Sequence, residues 1–436
     1  MTIAPTGLAY RALARAAYAA LPLARAFHPK LARGDRERRA ALARWLAWAE
    51  RAREPERPLL WCHASSVGEG LQAEAVLGIL RSRHPEWQIV ASFFSPSAER
   101  LARRLPVDHA DYLPYDLPGP TTALLDALRP TALVFAKLDL WPELATTAAR
   151  RGVAIGIVAA TVSPVSGRLR WPGRILARPG YQAVNRAAAV QPEDAARLES
   201  LGTPGARIDV AGDPAVDSAL RRAAAVDPAD PLLELGAGAP TLVAGSTWAA
   251  DEAALIPALV RVRATHPGAR LLLVPHEPTP GHVAAALERA QRHGLAGARR
   301  ASEGGPPGSL VVVDRVGVLM TLYGAGSIAF VGGGFGRRGL HSVLEPMAHG
   351  RPVLFGPHWA SSWAAGRALE TGAAREVRDA GELAARWLEW LDDDDARARA
   401  GASARALVER GRGAAEANAA MVERLMRRES GTAGGA

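Results

Sequence analysis

The segment His63-Ala-Ser-Ser-Val-Gly-Glu69 sets a carboxylate three residues beyond a serine and between two glycines. A carboxylate held in such a loop can take a proton from an attacking hydroxyl as a general base. Gly68 and Gly70 would let a substrate come close to the backbone. Ser66 and Glu69 also have capping-box spacing, in which each side chain bonds the other's backbone at a helix start. Spacing alone leaves both readings open.

A second group, Lys137-Leu-Asp-Leu-Trp-Pro-Glu143, carries Asp139 and Trp141. Trp141 can stack on a sugar or plug the top of a core. Asp139 can face a substrate or cap the helix that Pro142 begins. A third group is rich in glycine. Gly245, Ser246 and Thr247 precede two acids, and Gly332, Gly333 and Gly334 precede Arg337, Arg338, His341, Ser342 and Glu345. Exposed backbone N–H groups at such places can hold a phosphate, and Glu345 offers paired oxygens to a ribose. The pattern is neither a Walker loop nor a dinucleotide fingerprint.

Short apolar runs must carry these loops. They are Leu59–His63, Gln88–Ser92, Ala132–Phe135 and Val153–Ala159 in the first half. The second half has Thr241–Gly245, Leu271–Pro275, Leu310–Asp314, Ile328–Gly332 and Val353–Gly356. Helical patterns separate them, which predicts parallel sheets covered on both faces. The expected class is α/β, with two Rossmann-like domains whose parallel sheets face a central cleft and bind ligands at strand carboxyl ends. The expected divisions are an N-terminal helical segment over 1–50, an acceptor domain over 51–220 and a linker over 221–240. A donor domain over 241–410 and a helix with a disordered tail over 411–436 follow.

Composition narrows the function. The chain has 436 residues, 48% of them hydrophobic, which excludes a disordered protein. Its one cysteine, Cys62, excludes a disulfide framework and a cysteine metal cluster. The net charge of +9 suits an acidic partner such as a nucleotide phosphate or anionic lipid. The excess is diffuse and no aromatic–basic module accompanies it, so nucleic acid is not expected. Asp392–Asp395 reads as a solvated turn and no metal site is expected. No run reaches the length of a spanning helix. Leu8, Leu13, Tyr18 and Leu21, with Arg11 and Arg15 beside them, predict a helix that can lie on an anionic membrane surface.

Several motifs then fall in one order. They are His63-Ala-Ser-Ser-Val-Gly-Glu69, Leu113-Pro-Tyr-Asp116, Asp139-Leu-Trp-Pro142 and Gly245-Ser-Thr247. Gly332-Gly333, His341-Ser-Val-Leu-Glu-Pro346 and Gly356-Pro-His358 follow. Together, from about Leu8 to Glu416, they resemble the 3-deoxy-D-manno-octulosonic acid (Kdo) transferase family. The resemblance implies a GT-B glycosyltransferase whose last helix returns to the first domain. It implies CMP-Kdo as donor substrate, a lipid A precursor as acceptor, and no metal or other cofactor. It places the protein at the cytoplasmic face of the inner membrane.

The resemblance makes Glu69 the general base, inverting the anomeric carbon, with His341 and Glu345 in the donor half. Ser66, Gly68, Asp139 and Trp141 are then candidates for substrate binding. Gly245, Ser246, Thr247, His276, Gly333, Gly334, Arg337, His341, Ser342 and Glu345 are candidates for the donor, with backbone N–H groups of the glycine loops on the leaving phosphate. The chain departs from the family pattern at Lys137 and Asp139, where glutamates are usual, and at Thr161 and Ala215, where cations are usual. Trp248 and Ser342 replace His and Asn, and Pro275-His276-Glu277 replaces Pro-Arg-His. Two alternatives follow: a GT-B enzyme for another nucleotide sugar, or a non-catalytic membrane-associated member.

Overall fold

The computed structural model describes residues 6–25, 29–305 and 308–427. The tail expected beyond the last helix, residues 428–436, and residues 1–5 of the expected N-terminal segment lie outside that range. The chain divides into two units, one formed by residues up to Ser218 with those from Gly413 onward, the other by Ala219–Arg412.

Unit 1 holds seven parallel strands: β1 (Leu59–His63), β2 (Gln88–Phe93), β3 (His109–Tyr112), β4 (Ala132–Ala136), β5 (Ala154–Ala160), β6 (Arg186–Ala189) and β7 (Ile208–Val210). Their order is β3-β2-β1-β4-β5-β6-β7. Unit 2 repeats the plan with β8 (Thr241–Thr247), β9 (Arg270–Pro275), β10 (Arg299–Arg300), β11 (Leu310–Val312), β12 (Ile328–Val331), β13 (Val353–Phe355) and β14 (Ala374–Glu376). Their order is β10-β11-β9-β8-β12-β13-β14. Unit 2 turns back at its edge, where β11 lies inside β10, and each sheet has a central order reversal, at β1/β4 and at β8/β12. Open parallel sheets bind ligands beyond the carboxyl ends of strands at that reversal. Glu69, Asp139, Thr247 and Gly333 all lie at or just beyond the carboxyl ends of those four strands.

The central strands are buried on both faces, so their sequences read as continuous apolar runs. β3, β6, β7, β10 and β14 escaped the sequence reading. They sit toward the sheet edges and are short, small or charged, as in Arg186-Ala-Ala-Ala and Ala374-Arg-Glu. Edge strands commonly carry such residues, which discourage pairing with other chains.

The N-terminal segment is two helices, Leu8–Arg25 and Pro29–Ala52. The second belongs to the core of unit 1. Its Trp45 is fully buried and donates its indole N–H to the Tyr112 carbonyl at 2.9 Å. The expected stripe on the first helix is split. Arg11 pairs with buried Glu143 through two bonds of 2.8 Å, so it cannot meet lipid head groups, while Leu8 and Leu13 stay exposed. Within the expected linker, Leu232 and Leu235 pack on the apolar cluster around Val243 and Tyr323.

The helix Ala414–Met426 returns to unit 1 and buries Ala419, Val422 and Leu425 against Leu60, Val76 and Val134. A Cβ at Gly156 would lie 2.8 Å from Leu425, so glycine admits this helix. Asp217 fixes its start by accepting the Gly413 and Ala415 N–H groups at 2.8 and 2.7 Å. Fully buried Asn418 accepts the Ala159 N–H of β5 at 2.9 Å.

Candidate active site

In unit 1 the helix Val67–Arg83 starts directly after β1. The Ser66 N–H donates to Glu69 Oε2 at 2.9 Å, so the capping interaction is made. That bond uses one carboxylate oxygen of a half-buried side chain. Gly70 is structural, because a Cβ there would meet Leu101 at 2.5 Å. A Cβ at Gly68 would meet nothing within 4 Å, so packing does not require this glycine.

His63, fully buried at the end of β1, joins the two loops of this rim. Trp141 Nε1 lies 3.1 Å from His63 Nε2. An indole N–H can only donate, so Nε2 accepts and the proton sits on Nδ1, 2.9 Å from Ser92 Oγ. Asp139 Oδ2 stands 3.7 Å from the same imidazole, and Oδ1 takes a bond of 3.2 Å from Arg168. Burial alone would raise the Asp139 carboxyl. The Arg168 guanidinium and the Trp141 indole act against it, and the group lies below the ordinary aspartate value. Tyr10, Asp139, Trp141, Arg168 and Leu176 line a cavity of about 170 Å³ here.

Asp116 holds this rim together. It accepts the Glu143 and Leu144 N–H groups at 2.9 and 2.8 Å and the Tyr10 hydroxyl at 2.6 Å. Burial pushes its pKa up to about 6, against the opposing pull of those donors. Sequence reading quoted His63 and Asp116 within motifs but gave them no role, and it missed Tyr10 and Arg168.

In unit 2 the loops after β8 and β12 meet backbone to backbone. Ser246 takes a left-handed φ of 53°, and a Cβ at Gly332 would lie 2.4 Å from the Ser246 carbonyl oxygen. Gly245 is equally constrained, since its Cβ would meet the Tyr323 hydroxyl at 2.1 Å. Asp251 fills the space expected for a phosphate. Its carboxylate accepts the N–H groups of Gly333 at 2.8 Å, Phe335 at 3.2 Å and Trp248 at 2.9 Å. The Gly333 amide is therefore occupied.

Other expected donor residues are used internally. Buried Thr247 donates its hydroxyl to Glu252 at 3.1 Å. Ser342 Oγ accepts the Leu344 N–H at 3.3 Å, and Glu345 pairs with Arg222 at 2.7 Å. The backbone of Gly334 packs on Gly356, where a Cβ would meet the Gly356 nitrogen at 2.7 Å. Arg337 is exposed. Its neighbour Arg338 is the arginine engaged at this rim, 3.8 Å above the Trp248 ring. His276 stacks on His341 at 4.4 Å and packs against Trp248 at 4.8 Å. Burial, then His276 and Arg338, push His341 down to about 4. Among the described residues no three metal-ligating side chains gather, and no helix is long and apolar enough to cross a membrane.

Two Rossmann-like units, each a parallel sheet with a central order reversal, define the GT-B fold. The fold matches the UDP-N-acetylglucosamine 2-epimerase of Neisseria meningitidis with a TM-score of 0.60 at 12% identity, covering 85% of this chain and 100% of that one. A putative epimerase from Listeria monocytogenes aligns at 0.58 and 14% identity, covering 82% and 95%. These likenesses concern the fold. Residues 38–218 match the family model described as 3-Deoxy-D-manno-octulosonic-acid transferase (kdotransferase). The 3-deoxy-D-manno-octulosonic acid transferase of Bordetella pertussis is 32% identical over 78% of this chain and 81% of its own length. That of Aquifex aeolicus is 25% identical over 76% and 86%. The chain belongs to the 3-deoxy-D-manno-octulosonic acid transferase family.

Proposed function

We propose that this protein moves Kdo from CMP-Kdo to a lipid A precursor, inverting the anomeric carbon and using no metal or other cofactor. Glu69 carries the reading. Ser66 anchors one of its oxygens, and the other can accept the proton of the acceptor hydroxyl. The hydroxyl oxygen bonds to the anomeric carbon while the bond from that carbon to the CMP phosphate breaks. The electron pair leaves with CMP. Asp139, Trp141 and Arg168 hold the acceptor sugar at their cavity. His276, His341 and Arg338 face the donor's anionic groups and offset charge on the departing phosphate.

The acceptor class calls for a membrane surface, which we propose to be the anionic cytoplasmic face of the inner membrane. The first helix supports this. Its polar contacts point inward, through Tyr10 and Arg11, while Leu8, Ala9, Ala12, Leu13, Ala16 and Ala17 are exposed. Trp171 of the same unit is also 80% exposed, beside exposed Arg170 and Arg174.

Mass spectrometry of lipid after incubation with CMP-Kdo and lipid A precursor tests the reading. A product heavier by one or more Kdo units is expected, and its absence with active donor overturns it. Trp248 and His276, which stand where the family pattern has other groups, favour a second reading with another nucleotide sugar. Calorimetry separates the two, since CMP binding supports the first and UDP binding the second. Binding of neither would point to a non-catalytic membrane-associated member.

A further inference from the structure

We infer that Trp248 fixes His341 as a neutral imidazole whose Nδ1–H is offered to the anionic part of a nucleotide sugar at the rim of unit 2. The inference rests on the proposed function for its ligand and on geometry for its device. Trp248 Nε1 lies 3.0 Å from His341 Nε2, joining segments 93 residues apart. Indole nitrogen has a hydrogen to give and no lone pair to receive one. His341 Nε2 must therefore accept, and a neutral ring then carries its proton on Nδ1.

Both partners are held before any ligand arrives. Asp251 bonds the Trp248 and Gly333 amides with the same carboxylate oxygen, and the His341 N–H bonds the Gly332 carbonyl at 3.1 Å. His276 stacks on His341 with an interplanar angle of 23°, and Arg338 lies over the indole. Protonating His341 on Nε2 would set two N–H groups against each other. The charged and titratable neighbours act in the same direction or are already engaged. His276 and Arg338 oppose a second positive charge. Asp251 is spent on three amides, and His358 bonds the Gly334 carbonyl at 3.0 Å. The low pKa of His341 agrees with this arrangement. A donor of this kind holds an anion with equal strength across neutral pH, whereas an ordinary histidine changes charge near pH 6.5.

Long-range proton–nitrogen correlation of the histidine-labelled full chain, without ligand, reads the tautomer, and His341→Gln assigns the signal. The Nδ1–H form is expected, with no protonation down to pH 5. Trp248→Phe keeps a ring for the stack and removes the N–H. Its His341 ring is expected to populate both the Nδ1–H and the Nε2–H tautomers, with its pKa still held low by burial, His276 and Arg338. CMP affinity by calorimetry at pH 7.5 is expected to fall about threefold to tenfold in this variant, because the Nδ1–H is no longer fixed toward the ligand. Trp248→His, which can again donate an N–H, is expected to restore the single Nδ1–H tautomer and the affinity. An Nε2–H tautomer in the unaltered protein, or a single Nδ1–H tautomer in Trp248→Phe, overturns the inference. Failure of the unaltered protein to bind CMP overturns the donor role together with the Kdo reading. The ligand-free tautomer tells that failure apart from failure of the device.

Discussion

Units 1 and 2 share a seven-stranded parallel plan and a central order reversal. Each rim is also held by a buried aspartate that accepts backbone N–H groups. Asp116 takes the first turn of the helix Pro142–Arg150, and Asp251 takes the glycine loop. The difference lies in what each aspartate leaves over. In unit 1 the start of the Val67–Arg83 helix stays half-open, with a carboxylate that has an oxygen to spare. In unit 2 the glycine loop that resembled an anion hole already contains an anion, the Asp251 side chain. In the proposed function, binding there falls to side chains, namely Trp248, His276, Arg338 and His341. Glycine in such a loop serves close packing between backbones as much as ligand approach.

The largest expected effect is on Glu69. Glu69→Gln keeps the size of the side chain and removes the base, so transfer should fall on the order of 10²–10⁴-fold. Thermal unfolding should shift only slightly, because a capping bond is worth about 1 kcal/mol. Near-normal turnover would remove the contrast between the rims. Asp251→Ala comes next. It strands the Gly333 and Phe335 amides and should cost about 1–3 kcal/mol in chemical denaturation, with weaker CMP binding by calorimetry. Tighter CMP binding instead would mean that the freed amides hold phosphate, and that unit 2 works through its backbone after all.

Asp116 should give a pH signature of smaller size. Its carboxyl has a raised pKa in the folded protein, so the folded state binds the proton more tightly than the unfolded chain. Its contribution to stability is therefore greatest below about pH 4 and is lost as pH rises through about 6, by on the order of 3 kcal/mol. Unfolding midpoints from pH 4 to 7 should show this loss, and Asp116→Asn should flatten it. A flat wild-type curve would remove Asp116 from the comparison. Trp141→Phe is the smallest change. It leaves His63 Nε2 without its indole donor and should cost about 1 kcal/mol, with a raised KM for the acceptor and an unchanged KM for the donor. A change confined to donor KM would put Trp141 to another use.

Much of the architecture was legible in advance, because strands buried on both faces advertise themselves as apolar runs and loops follow them directly. Glu69, Asp139 and Trp141 could be placed at strand ends for that reason. The donor set was less legible. Thr247, Ser342 and Glu345 have suitable chemistry, yet each is engaged within its own unit. Arg338 and not Arg337 lies over the Trp248 ring, since one residue along a loop decides which side chain reaches the indole.

The amino-acid order by itself determined the alternation of strand and helix, the positions of the loops and the candidate base. Only tertiary structure decided which polar groups were already engaged. Asp251 reaches Gly333 across 82 residues, and Asn418 reaches Ala159 across 259. A bond from a side chain to a distant backbone amide leaves no period and no local composition to read. It exists only once the packing of both sheets has brought the two segments together.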